Sequence, residues 1–208
     1  MSAVAIALAG GLGRRIGGDK ALHSLAGRPL LSHVIERIRP QAETLAINAN
    51  GDPARFARWG VPVIPDTIED NPGPLAGILA GMEWAQRAFP TATDILSVPT
   101  DTPFLPPDLV DRLCATRAAT DAEIVVAASL GRTHPVIGLW PIHLKNELRN
   151  ALLQEGLRKV EDFANRYRVE LANFTADPID PFYNLNRPEE FVEAEKLVQG
   201  RSDWTSNR

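Results

Sequence analysis

The 208-residue sequence holds a single cysteine, Cys114, and only four histidines. One thiol cannot close an internal disulfide, and no cysteine or histidine cluster has the spacing of a zinc or iron–sulfur site. Cys114 reads as core filler on a helix. Aromatic residues make up 6% of the chain and the formal charge is −4. The sequence therefore lacks the stacking platforms and the basic field with which proteins hold nucleic acids or anionic membranes. Any anionic ligand must be gripped locally. Long apolar runs are missing too. The run at residues 4–9 is too short to span a membrane and lacks the charged start of a secretory signal, so a cytoplasmic location is expected, with no nucleic-acid or membrane partner. Low-complexity stretches, fixed-period repeats and long polar linkers are also absent. One domain over residues 1–199 is expected, with 200–208 a flexible tail and a monomer as the simpler state.

What the chain does have is a series of short apolar runs at residues 4–9, 44–48, 61–64, 94–98, 123–128 and 135–140, separated by stretches with helical spacing. Runs of this length bounded by turn residues read as buried strands, and the alternation reads as β-α-β-α. Leu75, Ile78, Leu79, Met82 and Ala85 recur with helical period. Residues 107–117 form a second helical stretch, opened by Pro106-Pro107 and carrying Leu109, Val110, Leu113 and Cys114 on one side. Pro188 suits a first helical position, followed by Glu189 and Glu190 at the positive end and an apolar face of Phe191, Ala194 and Val198. The short Gly131-containing connection between the last two strands predicts a hairpin. The fold class expected is α/β: a single doubly wound, Rossmann-like, mostly parallel sheet with helices on both faces and an antiparallel strand.

Directly after the first strand comes Gly10-Gly11-Leu12-Gly13-Arg14-Arg15-Ile16-Gly17-Gly18-Asp19-Lys20. Glycines there allow backbone N–H groups to approach a ligand closely, and a concave row of amides binds phosphate oxygens. Arg14, Arg15 and Lys20 add local positive charge. A Walker A loop would need Gly-Lys followed by Ser or Thr, and Lys20 instead stands between Asp19 and Ala21. The dinucleotide fingerprint fails as well, because Gly11-Leu12-Gly13 is followed three positions on by Ile16. A plain strand-to-helix turn is the alternative. The strand context and the three cations favour phosphate.

Taken with Leu8-Ala9 before it, and with Asn48-Ala49-Asn50, Asp66, Pro72-Gly73-Pro74-Leu75-Ala76-Gly77, Asp101-Thr102-Pro103 and Asn184-Leu185-Asn186 after it, this loop resembles the signature of the nucleotidyltransferases. The later blocks, in this order, narrow the resemblance to the molybdenum cofactor guanylyltransferases, the MobA family. The matching motifs run from residue 8 to residue 190. The resemblance implies transfer of GMP from GTP to the terminal phosphate of molybdopterin, giving molybdopterin guanine dinucleotide and pyrophosphate. It implies GTP contacts at Leu8, Ala9, Gly10, Gly11, Gly13, Lys20, Asn48, Asp66, Leu75, Gly77 and Asp101. Asp101 would hold Mg²⁺, and Arg14, Lys20 and Asp101 would serve catalysis. The molybdopterin side would take His134, Arg158, Lys159, Asn184 and Asn186, in keeping with seven basic against four acidic residues over 131–168. Other proteins of molybdenum-cofactor biosynthesis and recipient molybdoenzymes are the implied partners.

Plainer readings stand beside each of these. Asn48 and Asp66 are also turn residues, Asp101 could cap a helix before Pro103, and His134 could be a turn histidine before a proline. Arg158 and Lys159 could be a solvated helix face. At the level of the whole chain, the alternatives are a CTP- or sugar-phosphate-using enzyme of the same fold, or a non-catalytic module that binds GTP or molybdopterin for delivery.

Overall fold

The computed structural model describes residues 3–10, 19–69 and 73–199. The elements in chain order are β1 (Val4–Leu8), β2 (Ser24–Leu25), β3 (Arg28–Pro29), α1 (Leu30–Ile38), β4 (Thr44–Asn48), β5 (Val63–Ile64), α2 (Pro74–Ala88), β6 (Asp94–Pro99), α3 (Leu109–Ala119), β7 (Ile124–Ser129), β8 (Arg132–Pro141), α4 (Lys145–Leu153), α5 (Val160–Ala164), β9 (Val169–Phe174) and α6 (Pro188–Gln199). Seven strands form one sheet in the order β5-β4-β1-β6-β8-β7-β9, and β2 and β3 form a small separate hairpin. β8 runs antiparallel to both β6 and β7, while the pairs β1–β4, β1–β6, β4–β5 and β7–β9 are parallel.

β1 lies inside the sheet, between β4 and β6, because its residues are apolar on both faces, and alternate side chains enter opposite layers. Ala5 and Ala7 pack with Leu31, Val34 and Ile38 of α1 and with Leu109 and Leu113 of α3. Val4 and Ile6 pack with Ile78, Leu79 and Met82 of α2, Leu148 of α4 and Phe163 of α5. A third, smaller core joins Leu25 and Leu30 to Phe104, Leu185 and the Ala194 and Val198 face of α6. Cys114 packs half-buried against the α1–α3 layer. Among the described residues no helix is long and apolar enough to cross a membrane.

The α/β class, the mixed sheet and the hairpin agree with the sequence. The hairpin turns on Leu130 (φ +50°) and Gly131 (φ +72°). Two successive positive φ values match the right-handed twist of the flanking strands. Other boundaries move. The strand expected at 61–64 pairs only over Val63–Ile64, although the Pro62 carbonyl still accepts from Ile47 N–H at 2.8 Å. The helix expected from 107 starts at Leu109, because Pro106 and Pro107 belong to the preceding turn. α1, α4, α5 and β9 add to the elements named from the sequence. The tail at 200–208 lies outside the described residues.

One irregularity shapes the site. Val126 pairs with Gly138, but the next residue, Ala127, pairs with His134, so Pro135, Val136 and Ile137 bulge out of the ladder. Pro135 has no N–H to donate, which makes the ladder break there. Ser97 Oγ on β6 holds the bulge by donating to Val136 O at 2.6 Å.

Candidate active site

Open parallel sheets bind ligands beyond the carboxyl ends of their strands. A cavity of about 670 Å³ opens there, bounded by the ends of β1, β4 and β6 and by the bulged start of β8. β8 contributes its first half because it runs antiparallel, so its beginning stands beside its neighbours' ends.

The β4 end of the cavity is a preset hydrogen-bond network. Asn48 Nδ2 donates to Asp66 Oδ1 at 2.9 Å and Asn50 Nδ2 donates to Asp66 Oδ2 at 2.8 Å. Asp66 N–H donates in turn to Asn50 Oδ1 at 2.8 Å. Each carboxylate oxygen is thus oriented by one amide and keeps lone pairs for a ligand's N–H groups. Asn48 is 3% exposed and also reaches the Ile64 carbonyl at 3.2 Å. Gly77 fixes its position from below, since a Cβ on Gly77 would lie 2.3 Å from Asn48 Oδ1 and 2.8 Å from Leu8 Cδ2. Gly77→Ala is therefore expected to destabilise the fold by about 1–3 kcal/mol through overpacking, seen as a lower urea midpoint with an unchanged slope.

In the middle, Lys20 Nζ donates to both Asp101 Oδ2 and Asn186 Oδ1. The ammonium and carboxylate are 14% and 16% exposed, sheltered enough for their attraction to exceed that of a surface pair. Asp101 Oδ1 is buried without a hydrogen-bond partner. Buried polar atoms are nearly always paired, so an orphaned carboxylate oxygen at a cavity wall is the signature expected of a cation ligand. Among the described residues there is no cluster of three or more His, Cys, Asp or Glu.

The β8 end is built from Thr133, His134, Pro135, Val136 and Ile137 together with Phe182 and Asn184. The His134 and Phe182 rings lie 4.8 Å apart. Burial lowers the His134 pKa against the opposing pull of Asp180, so the ring is neutral near pH 7. Asn184 and Asn186 flank the fully buried Leu185, whose N–H donates to Asp101 O at 2.9 Å. That bond ties residues 184–186 to the turn after β6 that carries Asp101. Glu190, in the first turn of α6, caps the backbone N–H groups of Asn186 and Arg187.

The structure thus brings Leu8, Ala9, Gly10, Asn48, Asp66, Asp101, His134 and Asn184 to one cavity, and Lys20, outside its lining, bonds both Asp101 and Asn186. Gly11, Gly13 and Arg14 lie outside the described residues, as does Pro72. Leu75 does not line the cavity: it is the second residue of α2, turned into the core at 1% exposure, and Gly73 and Pro74 form the wall instead. Gly77 does not line the cavity either, and supports its walls from behind Asn48 and Leu8. Arg158 and Lys159 also lie away from its walls. They are exposed residues just before α5, which turns Val160 and Phe163 into the core and leaves the two residues ahead of it in solvent.

Arg55 is the functional-looking residue that sequence reasoning misses. It lines the β4 end, pairs with Asp19 and donates to Asn50 O at 2.6 Å. Its local sequence, Pro53-Ala54-Arg55-Phe56-Ala57-Arg58, reads as an ordinary surface turn with two equivalent arginines. Only the fold brings Asp19 to one of them.

Residues 5–169 match the family model described as the MobA-like NTP transferase domain. A molybdenum cofactor guanylyltransferase of Rhodopseudomonas palustris (strain BisB5) is 54% identical over 195 residues, covering 93% of each chain. One of Mesorhizobium japonicum is 46% identical over 198 residues, covering 93% of this chain and 95% of its own. Among solved structures, the molybdopterin-guanine dinucleotide biosynthesis protein A of Archaeoglobus fulgidus superposes with a TM-score of 0.75 at 22% identity, covering 95% of this chain and all of that one. A Mycobacterium tuberculosis protein solved with manganese gives 0.69 at 17% identity, over 94% and 99% of the two chains.

Proposed function

The chain belongs to the MobA-like NTP transferase family, and on that premise we propose that it transfers GMP from GTP to the terminal phosphate of molybdopterin, releasing pyrophosphate and forming molybdopterin guanine dinucleotide. The observation that carries the reading is a single cavity with two recognition ends, Asn48, Asn50 and Asp66 at one and the β8 bulge at the other, on either side of the Lys20–Asp101 pair. A group transfer between two substrates needs that arrangement.

Guanine presents its N1–H and exocyclic amine as adjacent donors, and the Asp66 carboxylate, held by two amides, is a matching acceptor. Adenine and cytosine present no such pair. The triphosphate then lies over Ala9 and Gly10 towards Lys20. A terminal phosphate monoester is largely ionised near neutral pH, so its oxygen attacks the α-phosphorus without a protein base. The new bond joins that oxygen to the α-phosphorus. The bond from the α-phosphorus to the bridging oxygen breaks, and its electron pair leaves with pyrophosphate. Lys20 is placed to meet that growing negative charge, a charge-assisted interaction that strengthens in the transition state.

Asp101 fits a divalent cation, Mg²⁺ in this reading, through its orphaned Oδ1. When bound, such a cation neutralises phosphate oxygens and stabilises the leaving group. Relatives named molybdenum cofactor guanylyltransferase support the choice of substrates, and the manganese complex of a structural neighbour supports a divalent cation. Transfer to recipient molybdoenzymes is part of the same reading.

Incubation with GTP, Mg²⁺ and molybdopterin should release pyrophosphate and yield the dinucleotide. Absence of product while a related guanylyltransferase turns over under the same conditions would overturn the proposal. Specificity has its own test. Asp66→Asn is expected to raise the KM for GTP about ten- to a hundredfold, the value of one or two hydrogen bonds to a charged acceptor. Competition by ATP or CTP should be nearly unchanged. An equal loss for all three nucleotides would place the carboxylate away from the base.

A further inference from the structure

Ser129, at the end of β7, is 3% exposed and stands between two titratable groups. Its Oγ lies 2.8 Å from His134 Nε2 and donates to Asp180 Oδ1 at 2.7 Å. The same Asp180 oxygen accepts Phe182 N–H at 3.0 Å. A serine hydroxyl has one hydrogen, and a carboxylate can only accept, so that hydrogen goes to Asp180. His134 Nε2 must then carry a proton and donate to Ser129 Oγ. The chain of bonds therefore selects one tautomer. His134 Nδ1 is left as a lone pair with no hydrogen-bond partner among the described residues, on a residue that is only half-buried. The residue lines the β8 end of the cavity.

We propose that Asp180 and Ser129 are positioning residues that fix His134 as its Nε2–H tautomer, so that Nδ1 accepts a hydrogen bond from a ring N–H of the acceptor substrate. This rests on the transfer reaction proposed above and adds to it which part of the acceptor meets β8. An imidazole lone pair repels phosphate oxygens, so the acceptor's phosphate lies away from His134 and towards the Lys20 ammonium. The acceptor's flat heterocycle, which carries amide-type N–H groups, takes the β8 end. The Phe182 ring against His134 and the Phe182 N–H on Asp180 make the imidazole and its carboxylate one rigid unit. Recognition by a preset acceptor discriminates against any acceptor lacking that N–H, because the site's lone pair is then left unpaired.

The test uses the full chain and three variants. Ser129→Ala removes the relay while keeping the fold's volume. His134→Gln places its amide where Nε2 was, and His134→Asn places its amide where Nδ1 was. Ser129→Ala and His134→Gln are expected to raise the KM for molybdopterin about tenfold, with kcat and GTP affinity within twofold of the parent, and His134→Asn to recover most of the loss. Imidazole nitrogen NMR should show the Nε2–H tautomer in the parent and a mixture in Ser129→Ala. An unchanged KM, a loss confined to kcat, equal defects in both His134 variants, or a protonated Nδ1 in the molybdopterin complex would each overturn the inference. The parent's pyrophosphate release reports on the transfer reaction separately. If that fails, direct titration of molybdopterin into the parent and Ser129→Ala still decides the role of His134.

Discussion

Asp101→Ala is expected to lower turnover roughly a thousandfold while leaving the far-ultraviolet circular dichroism and the unfolding transition close to those of the parent. Two contributions add at this one side chain. Its Oδ2 holds Lys20 in place, so truncation frees the ammonium proposed to meet the leaving group. Its Oδ1, buried and without a partner, is the atom best suited to a cation. Loss of one well-placed electrostatic group costs up to about 4 kcal/mol of transition-state stabilisation, which is the thousandfold. The fold should survive because Asp101 anchors residues 184–186 through its backbone carbonyl, which the substitution keeps. The check is steady-state pyrophosphate release combined with GTP titration in the presence and absence of Mg²⁺. GTP affinity of the parent should rise with Mg²⁺ and that of the variant should not. A variant that retains both turnover and the metal effect would remove Asp101 from the machinery.

Lys20→Met is expected to lower kcat about a hundredfold with a smaller rise in the KM for GTP. Methionine keeps the length and apolar stem of the side chain but not its charge. The ammonium contacts Asp101 and Asn186 in this structure, so it already stands between the turn carrying Asp101 and residues 184–186. In the proposed reaction a triphosphate arriving at Gly10 competes for the same three hydrogens, and the ammonium's attraction is stronger where negative charge grows than where it is spread over the ground state. The expected signature is therefore a fall in kcat, checked by single-turnover kinetics. A loss confined to KM would make Lys20 a binding residue for the ground state. Because Lys20 and Asp101 touch, the double variant should lose much less than the product of the two single effects.

The fold was legible where its cause is local. The apolar run at β1, the period of α2, the proline at the start of α6 and the glycine of the β7–β8 turn each act within a few residues, and each appears in the structure. α1 also carried a readable stripe in Leu30, Leu31, Val34, Ile35 and Ile38. β9 did not. Its exposed Glu170, Leu171 and Asn173 give no clean alternation, and it exists because β7 offers a parallel edge.

The glycine-rich segment, its basic neighbours, the succession of strands and helices along the chain and the turn residues that follow the strands were set by the sequence alone, because propensity, periodicity and turn chemistry operate over short windows. The assembly of the site was decided only by tertiary structure. Lys20 meets a carboxylate 81 residues away and an amide 166 residues away. Arg55 becomes part of the cavity by pairing with Asp19, and Ser129 acquires a partner 51 residues on at Asp180. No local pattern encodes such pairs. They arise because parallel crossovers bring strand ends to one edge of the sheet, and because β8, reversed and bulged at Pro135, begins where its neighbours finish.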